Sequence, residues 1–241
     1  RRRGSTPRSP SPPRRVRNPP VLQQLTILPI LLFSVVVHEL SHGWMALRLG
    51  DTTARDMGRL TLNPIPHIDP VGSVIVPLLS LATAGRVFIA WAKPVPVNPA
   101  NFVRPKRDDI LVALVGPFSN LVLALFSTIM FIVVAKLTKI AGPGNAVVDE
   151  VFRFLLLMFH GGIVLNIILG LFNLIPVPPL DGSHVVASLL PGAAGERYRR
   201  IGFFGIIILL LVMQYGPFLT LFYSLVDSLM YPFEYLINSS I

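Results

Sequence analysis

VLQQLTILPILLFSVVVHELSHGWMALRL, residues 21–49, is apolar enough to form one long helix, yet its second half carries His38, Glu39 and His42. Ionisable side chains in the middle of an apolar, membrane-length helix are expensive and read as functional by default. HELSH, residues 38–42, has the HExxH spacing. On a helix the two imidazoles lie four residues apart on one face, where they can share one metal ion, with the glutamate displaced toward a bound water. Two hydrogen-bonded helix histidines beside a neutral Glu would be the purely structural alternative, and their burial in apolar surroundings weighs against it.

The rest of the chain supports a membrane setting. Of the 241 residues 52% are hydrophobic and 14% are charged, against roughly 25% charged in a soluble domain. That excludes a water-soluble globule and implies an integral membrane protein. The absence of cysteine excludes disulfides, thiolate metal sites and a Cys nucleophile, so any metal must be held by His and carboxylate. The net charge of +9 is concentrated at one end: seven of the 21 Lys and Arg fall in the first 17 residues, and +2 remains without them. No nucleic-acid partner is implied. Residues 1–20, made of Arg, Ser and Pro with no acidic residue, cannot bury apolar area and are read as a disordered tail. Residues 21–241 are read as one membrane-embedded domain.

Within that domain, residues 71–84 are apolar but broken by Pro77 and short for a span of about 20 residues, which suggests a re-entrant element. Residues 86–107 hold WAKPVPVNP and a basic cluster, a strand-like stretch at the interface. Spanning helices are expected within residues 108–140 and 151–173. The prolines of NLIPVPPL, residues 173–180, then forbid helix. Two last helices are expected at 201–214 and 218–236, separated by Gly216 and Pro217. The expected fold is therefore all-α and membrane-integral: five to six transmembrane helices, a short or re-entrant segment, and a small strand-like hairpin near the site. A motif-bearing core at 21–190 is followed by C-terminal helices at 197–241.

A catalytic zinc usually has three protein ligands and one open position. The third ligand must come from His67, His160, His184 or a carboxylate. Asp181 stands out because it follows an extended, proline-enforced break, tolerable at membrane depth only where protein or a cavity covers it. Asp181 as a helix N-cap is the plainer alternative, and both roles can coexist.

HELSH, then GPFSN at residues 116–120, then FNLIPVPPLDG at residues 172–182 together resemble the intramembrane zinc metalloproteases of the site-2 protease family. GRLTLNPIPHIDPVGS and WAKPVPVNP resemble its compact bacterial branch. The resemblance covers most of residues 21–190. It implies one Zn2+ per chain held by His38, His42 and Asp181, with Glu39 as general base. It also places Asn120 and Asn173 at the family's polar core positions, where they could orient substrate, stabilise an oxyanion, or simply bond between helices. His67 and His184 are candidates for the outer shell of the site, and His160 is read as a packing residue. Members with PDZ or cystathionine-synthase-like regulatory domains differ from this chain, in which there is no room for either. An extended substrate could pair with an edge strand within residues 89–97.

If the histidines lie in the second half of the first helix and Asp181 lies just past the end of another, an even number of crossings must separate them. The helices within 108–140 and 151–173 supply two. The site then faces the side carrying Arg86, Lys93, Arg104, Lys106, Arg107, Arg197, Arg199 and Arg200, which the positive-inside rule makes cytosolic. The expected protein is an intramembrane endopeptidase of a bacterial cytoplasmic membrane, cutting peptide bonds within or near transmembrane segments of substrate proteins. The alternative is a non-proteolytic membrane zinc protein, either a transporter or an inactive scaffold. A transporter should carry acidic or His residues along several helices, whereas here they cluster at two motifs. An inactive scaffold would be expected to lose the glutamate, and Glu39 is present.

Overall fold

The structure is a computed structural model and describes residues 28–75, 79, 92–142, 144–202 and 204–241. Its helices are α1 (Leu28–Arg48), α2 (Thr53–Asp56), α3 (Pro105–Ala141), α4 (Ala146–Asn173), α5 (Asp181–Leu189), α6 (Ala193–Arg199), α7 (Phe204–Val212) and α8 (Gly216–Ser240). No β-strand forms among the described residues. The Arg/Ser/Pro tail, the first turns of the 21–49 helix and most of the 71–84 element lie outside the described residues. At its start the last of these is a single wide helical turn, Pro70–Ile75.

Local chemistry explains where the long helices begin. Pro105 sits at the first position of α3, where its missing N–H costs nothing, and Asp108 accepts from the Arg104 N–H at 2.8 Å. α4 starts at Ala146, five residues before the sequence-based start at 151. Asn145 caps it by accepting from the N–H groups of Val147 and Val148 at 3.1 and 3.0 Å, a strong N-terminal signal.

α1, α3 and α4 form the bundle that carries the site. Their surface is inside out for a soluble protein. Phe118, Phe126, Ile129 and Leu157 face outward, while Asn120, Ser127, Thr128 and Asn166 are buried. Three helices are long and apolar enough to cross a membrane, namely Pro29–Arg48, Pro105–Ala141 and Ala146–Asn173; α7 and α8, meeting at 86°, make a fourth only if the bent pair is one span. The expected five to six is thus reduced to three or four among the described residues. The helix expected at 201–214 is the main cause: α7 has nine residues and is about 13 Å long, well short of a hydrocarbon core of about 30 Å.

Apolar packing fixes the two ends differently. Ala124, Ile163, Ile167, Ile175, Leu209, Phe222, Val226 and Met230 form one core that ties α7 and α8 to α3 and α4. A second, smaller core of Ala46, Phe102 and Val112, with Val97 against it, joins the end of α1 to the start of α3 and to the proline-rich stretch. The connection between α1 and α3 therefore leaves and returns at one end of the bundle.

Candidate metal centre

His38 and His42 are both buried on α1. Each has its Nδ1 fixed from α3. The His42 Nδ1 lies 2.7 Å from the Val112 carbonyl oxygen. A carbonyl only accepts, so this nitrogen carries the proton. The His38 Nδ1 lies 2.6 Å from Asn120 Oδ1. Asn120 donates its Nδ2 to Asn166 Oδ1 at 2.9 Å, and Asn166 donates its own Nδ2 to the Gly162 carbonyl at 2.9 Å. That chain has one consistent direction: starting from a carbonyl that can only accept, each amide must present its oxygen to the next donor, and His38 Nδ1 becomes a donor. In the neutral rings both Nε2 atoms are then bare lone pairs.

Those two lone pairs point at each other and at Asp181, the first residue of α5. The Nε2 atoms are 3.0 Å apart, and Asp181 Oδ2 is 3.1 Å from the first and 3.4 Å from the second. Asp181 Oδ2 is buried without a hydrogen bond. Two lone pairs and a carboxylate oxygen converge stably only around a cation. The separations also match the roughly 3.3 Å edges of a tetrahedron whose ligand bonds are about 2.0 Å long. The three residues are the one set among the described residues whose His and carboxylate ligand atoms all lie within 4.8 Å of each other. The donor set, two imidazoles and a carboxylate, suits Zn2+.

α3 can pass this close because of Gly116, which precedes Pro117 in the helix. A Cβ at Gly116 would overlap the His42 ring and come within 2.8 Å of His38 Cε1. Glu39, half-buried on the neighbouring face of α1, accepts from the Val95 N–H at 2.7 Å through Oε2.

The other residues singled out by sequence are distributed around this centre. Asn120 has its oxygen on His38 and its nitrogen on Asn166, so the structure puts it behind a ligand, with neither group turned to an open space. Asn173 donates back to the Leu169 carbonyl of its own helix at 3.0 Å. His67 is buried and its Nε2 contacts the Thr61 carbonyl at 3.0 Å, within the loop that follows α2. His160 packs by ring contact on Phe131. His184 meets Asp109 at 3.2 Å, and Asp109 also accepts from Ser188 at 2.7 Å and Arg199 at 2.9 Å. This cluster clamps α5 and α6 to the N-terminal end of α3, and so acts on Asp181 through the helix it opens. Residues 92–98 run without regular secondary structure and in no strand pair, while residues 89–91 of the expected edge strand lie outside the described residues.

Asn166, Gly116 and Arg59 were not singled out by sequence. Asn166 left a readable signal, as a polar side chain inside an apolar spanning helix. Gly116 lies within GPFSN, where nothing in the sequence assigns it a role.

The chain matches peptidase family M50 over residues 26–213. It is 34% identical over 193 residues to the protein named "Putative zinc metalloprotease YwhC" of Bacillus subtilis (strain 168), covering 78% of this chain and 81% of that protein. Rip2 of Mycolicibacterium smegmatis, which carries the same description, is 31% identical over 75% of this chain and 64% of its own length. Rip2 of Mycobacterium tuberculosis H37Rv is 31% identical over 70% of this chain and 58% of its own length. No solved structure matches the chain. With most of its length matched, and with the HExxH helix and the Asp181 segment inside the matched region, the chain belongs to peptidase family M50, the site-2 protease family.

Proposed function

We propose that this M50 peptidase hydrolyses peptide bonds within or near transmembrane segments of substrate proteins, with His38, His42 and Asp181 holding one Zn2+ and Glu39 as general base. The family and the descriptions of its relatives make it a zinc metalloendopeptidase acting on peptide or protein substrates. The observation that carries the finer reading is the convergence of two bare imidazole nitrogens and the Asp181 oxygen on a helix apolar and long enough to cross a membrane.

When bound, zinc supplies a Lewis acid that polarises the scissile carbonyl and lowers the pKa of water toward about 7. Glu39 takes the proton from that water and delivers it to the leaving amine nitrogen. Asn120 and the Val112 carbonyl hold the two imidazoles in the tautomer that leaves Nε2 free, the usual division of labour between a ligand and the group behind it. The Asp109 cluster keeps α5, and so Asp181, in register with α3. A substrate helix has its own carbonyls hydrogen-bonded, so it must unwind locally to react, and helix-breaking residues near the cut are expected. The basic residues Arg104, Lys106, Arg107, Arg197 and Arg200 lie near the end of the bundle that carries the site, which supports a bacterial cytoplasmic membrane with the site toward the cytosol.

The test uses full-length protein in detergent micelles and a synthetic Leu/Ala transmembrane peptide interrupted by Asn-Gly. The intact protein should hold one zinc and cut the peptide. Glu39→Gln should keep the metal and lose about 10²–10⁴-fold in kcat, and Asp181→Ala should lose the metal. Zinc retention with unchanged cleavage in Glu39→Gln would remove Glu39 from the chemistry, whereas an intact protein that holds zinc and cuts nothing would turn the reading toward a non-proteolytic zinc protein.

A further inference from the structure

Residues 93–98, Lys-Pro-Val-Pro-Val-Asn, lie as a strap against the polar side of α1. Lys93, Val95 and Asn98 each precede a proline, which drives them to extended backbone; Asn98 has φ −112° and ψ 101°. Pro94 and Pro96 have no N–H, so the Val95 N–H is the one donor of that triplet, and it goes to Glu39. The strap lies flush with the helix at Gly43, where a Cβ would come within 2.9 Å of Val95 Cγ1 and 2.6 Å of Leu60 Cδ2.

The strap is tied down on both sides of Val95. Upstream, Arg59 donates from Nη2 to the Lys93 carbonyl at 2.9 Å and the Pro94 carbonyl at 3.3 Å, and the Lys93 N–H goes to the His67 carbonyl at 2.9 Å. Downstream, the Asn98 N–H goes to Asp51 at 2.7 Å. Arg59 is only 7% exposed, forms no ion pair with any carboxylate among the described residues, and leaves its buried Nε without a hydrogen bond. Among the described residues this buried guanidinium faces carbonyls alone, an unfavourable way to hold a loop, and such cost is typically concentrated at functional sites.

We infer that the strap is a positioning device for Glu39 and that Arg59 is the positioning residue that holds it. This rests on Glu39 acting as the base in the reading above. The Val95 N–H fixes one carboxylate oxygen and leaves Oε1 to meet the water, so the base is oriented before substrate arrives. Arg59 acts through the strap and touches no reacting atom.

Val95→Pro deletes the donor while keeping the extended backbone, and Val95→Ala keeps the donor while trimming the packing. With the zinc-loaded, full-length protein and the Leu/Ala peptide, Val95→Pro should lower kcat about 10–100-fold, with KM within about twofold and one zinc retained. Val95→Ala should lose far less. Arg59→Met should resemble Val95→Pro, and Arg59→Lys should recover part of the loss. In a Glu39→Gln background Val95→Pro should cause no further loss, since groups acting as a unit are not additive. Intact kcat in zinc-loaded Val95→Pro, a raised KM alone, or an undiminished effect without Glu39 each overturn the inference. If Val95→Pro fails to fold, Arg59→Met with intact kcat overturns it. An intact protein that holds zinc and cuts nothing overturns the proteolytic reading instead.

Discussion

The two sides of α1 hold the same motif by different means. On the side of α3 and α4, His38 is held by an asparagine side chain backed by a second one, and His42 by a helix carbonyl. On the side of residues 49–104, Glu39 is held by a backbone N–H of a chain segment with no regular secondary structure. The proposed metal ligands thus depend on long apolar helices, and the proposed base depends on a loop anchored by Arg59 and Asp51. Zinc affinity should respond to changes on the helical side, and turnover at full zinc loading to changes on the loop side.

Gly116→Ala should have the largest effect. Alanine is the better helix former by about 1 kcal/mol, yet its Cβ would collide with both histidines, so zinc affinity measured by chelator competition should fall at least about 100-fold. A variant that binds zinc normally would break the contrast at its tightest point. Asn120→Leu leaves His38 without its oxygen partner, and a loss of 10–100-fold in zinc affinity is expected. Asn166→Leu removes the next link and frees Asn120 to turn, for an expected loss of several-fold in the same assay. Equal effects of the two substitutions would mean that the relay acts as one unit.

The smallest effect concerns pH on the loop side. Burial alone would raise the Asp51 carboxyl, but hydrogen bonds from the Thr53 hydroxyl, the Asn98 N–H, the Asn101 amide and the Thr53 N–H outweigh it and hold the group below the usual carboxylate range. A depressed folded-state pKa gives stability that is fully present above the unfolded value of about 3.9 and is lost as pH falls through the folded value. Thermal melting should therefore weaken progressively below about pH 4, and Asp51→Asn should flatten that acid limb. An unchanged acid limb in Asp51→Asn would remove the anchor from the strap's downstream end.

The same contrast explains what could be read in advance. His38, Glu39 and His42 announce themselves because charged side chains are conspicuous in apolar helices, Asp181 because prolines isolate it, and Asn120 through the resemblance of GPFSN to the family. Asn166, an amide inside an apolar helix, was missed because it lies in no short motif. The loop side left no such trace. A Val95 N–H, a Lys93 carbonyl and a His67 carbonyl are common to every residue type, so nothing in the sequence says which of them will be used. His67 and His184 looked like groups around the metal, and their chemistry goes instead to the Thr61 carbonyl and to Asp109. Helix count suffered for a third reason: α7 is apolar throughout but only nine residues long, and composition does not reveal where a helix stops.

The prolines of the strap also bear on how the protein behaves among its own kind. In an extended chain alternate residues present their backbone groups to the same flank, so Pro94 and Pro96 strip one flank of donors while the Val95 N–H is turned to Glu39. A second polypeptide drifting against that flank finds no amide to complete a ladder, and the Pro94 carbonyl is already taken by Arg59, which is in keeping with how natural proteins keep extended segments from templating aggregates. A membrane protein whose proposed catalytic glutamate sits beside such a segment is thereby shielded from stacking onto its neighbours.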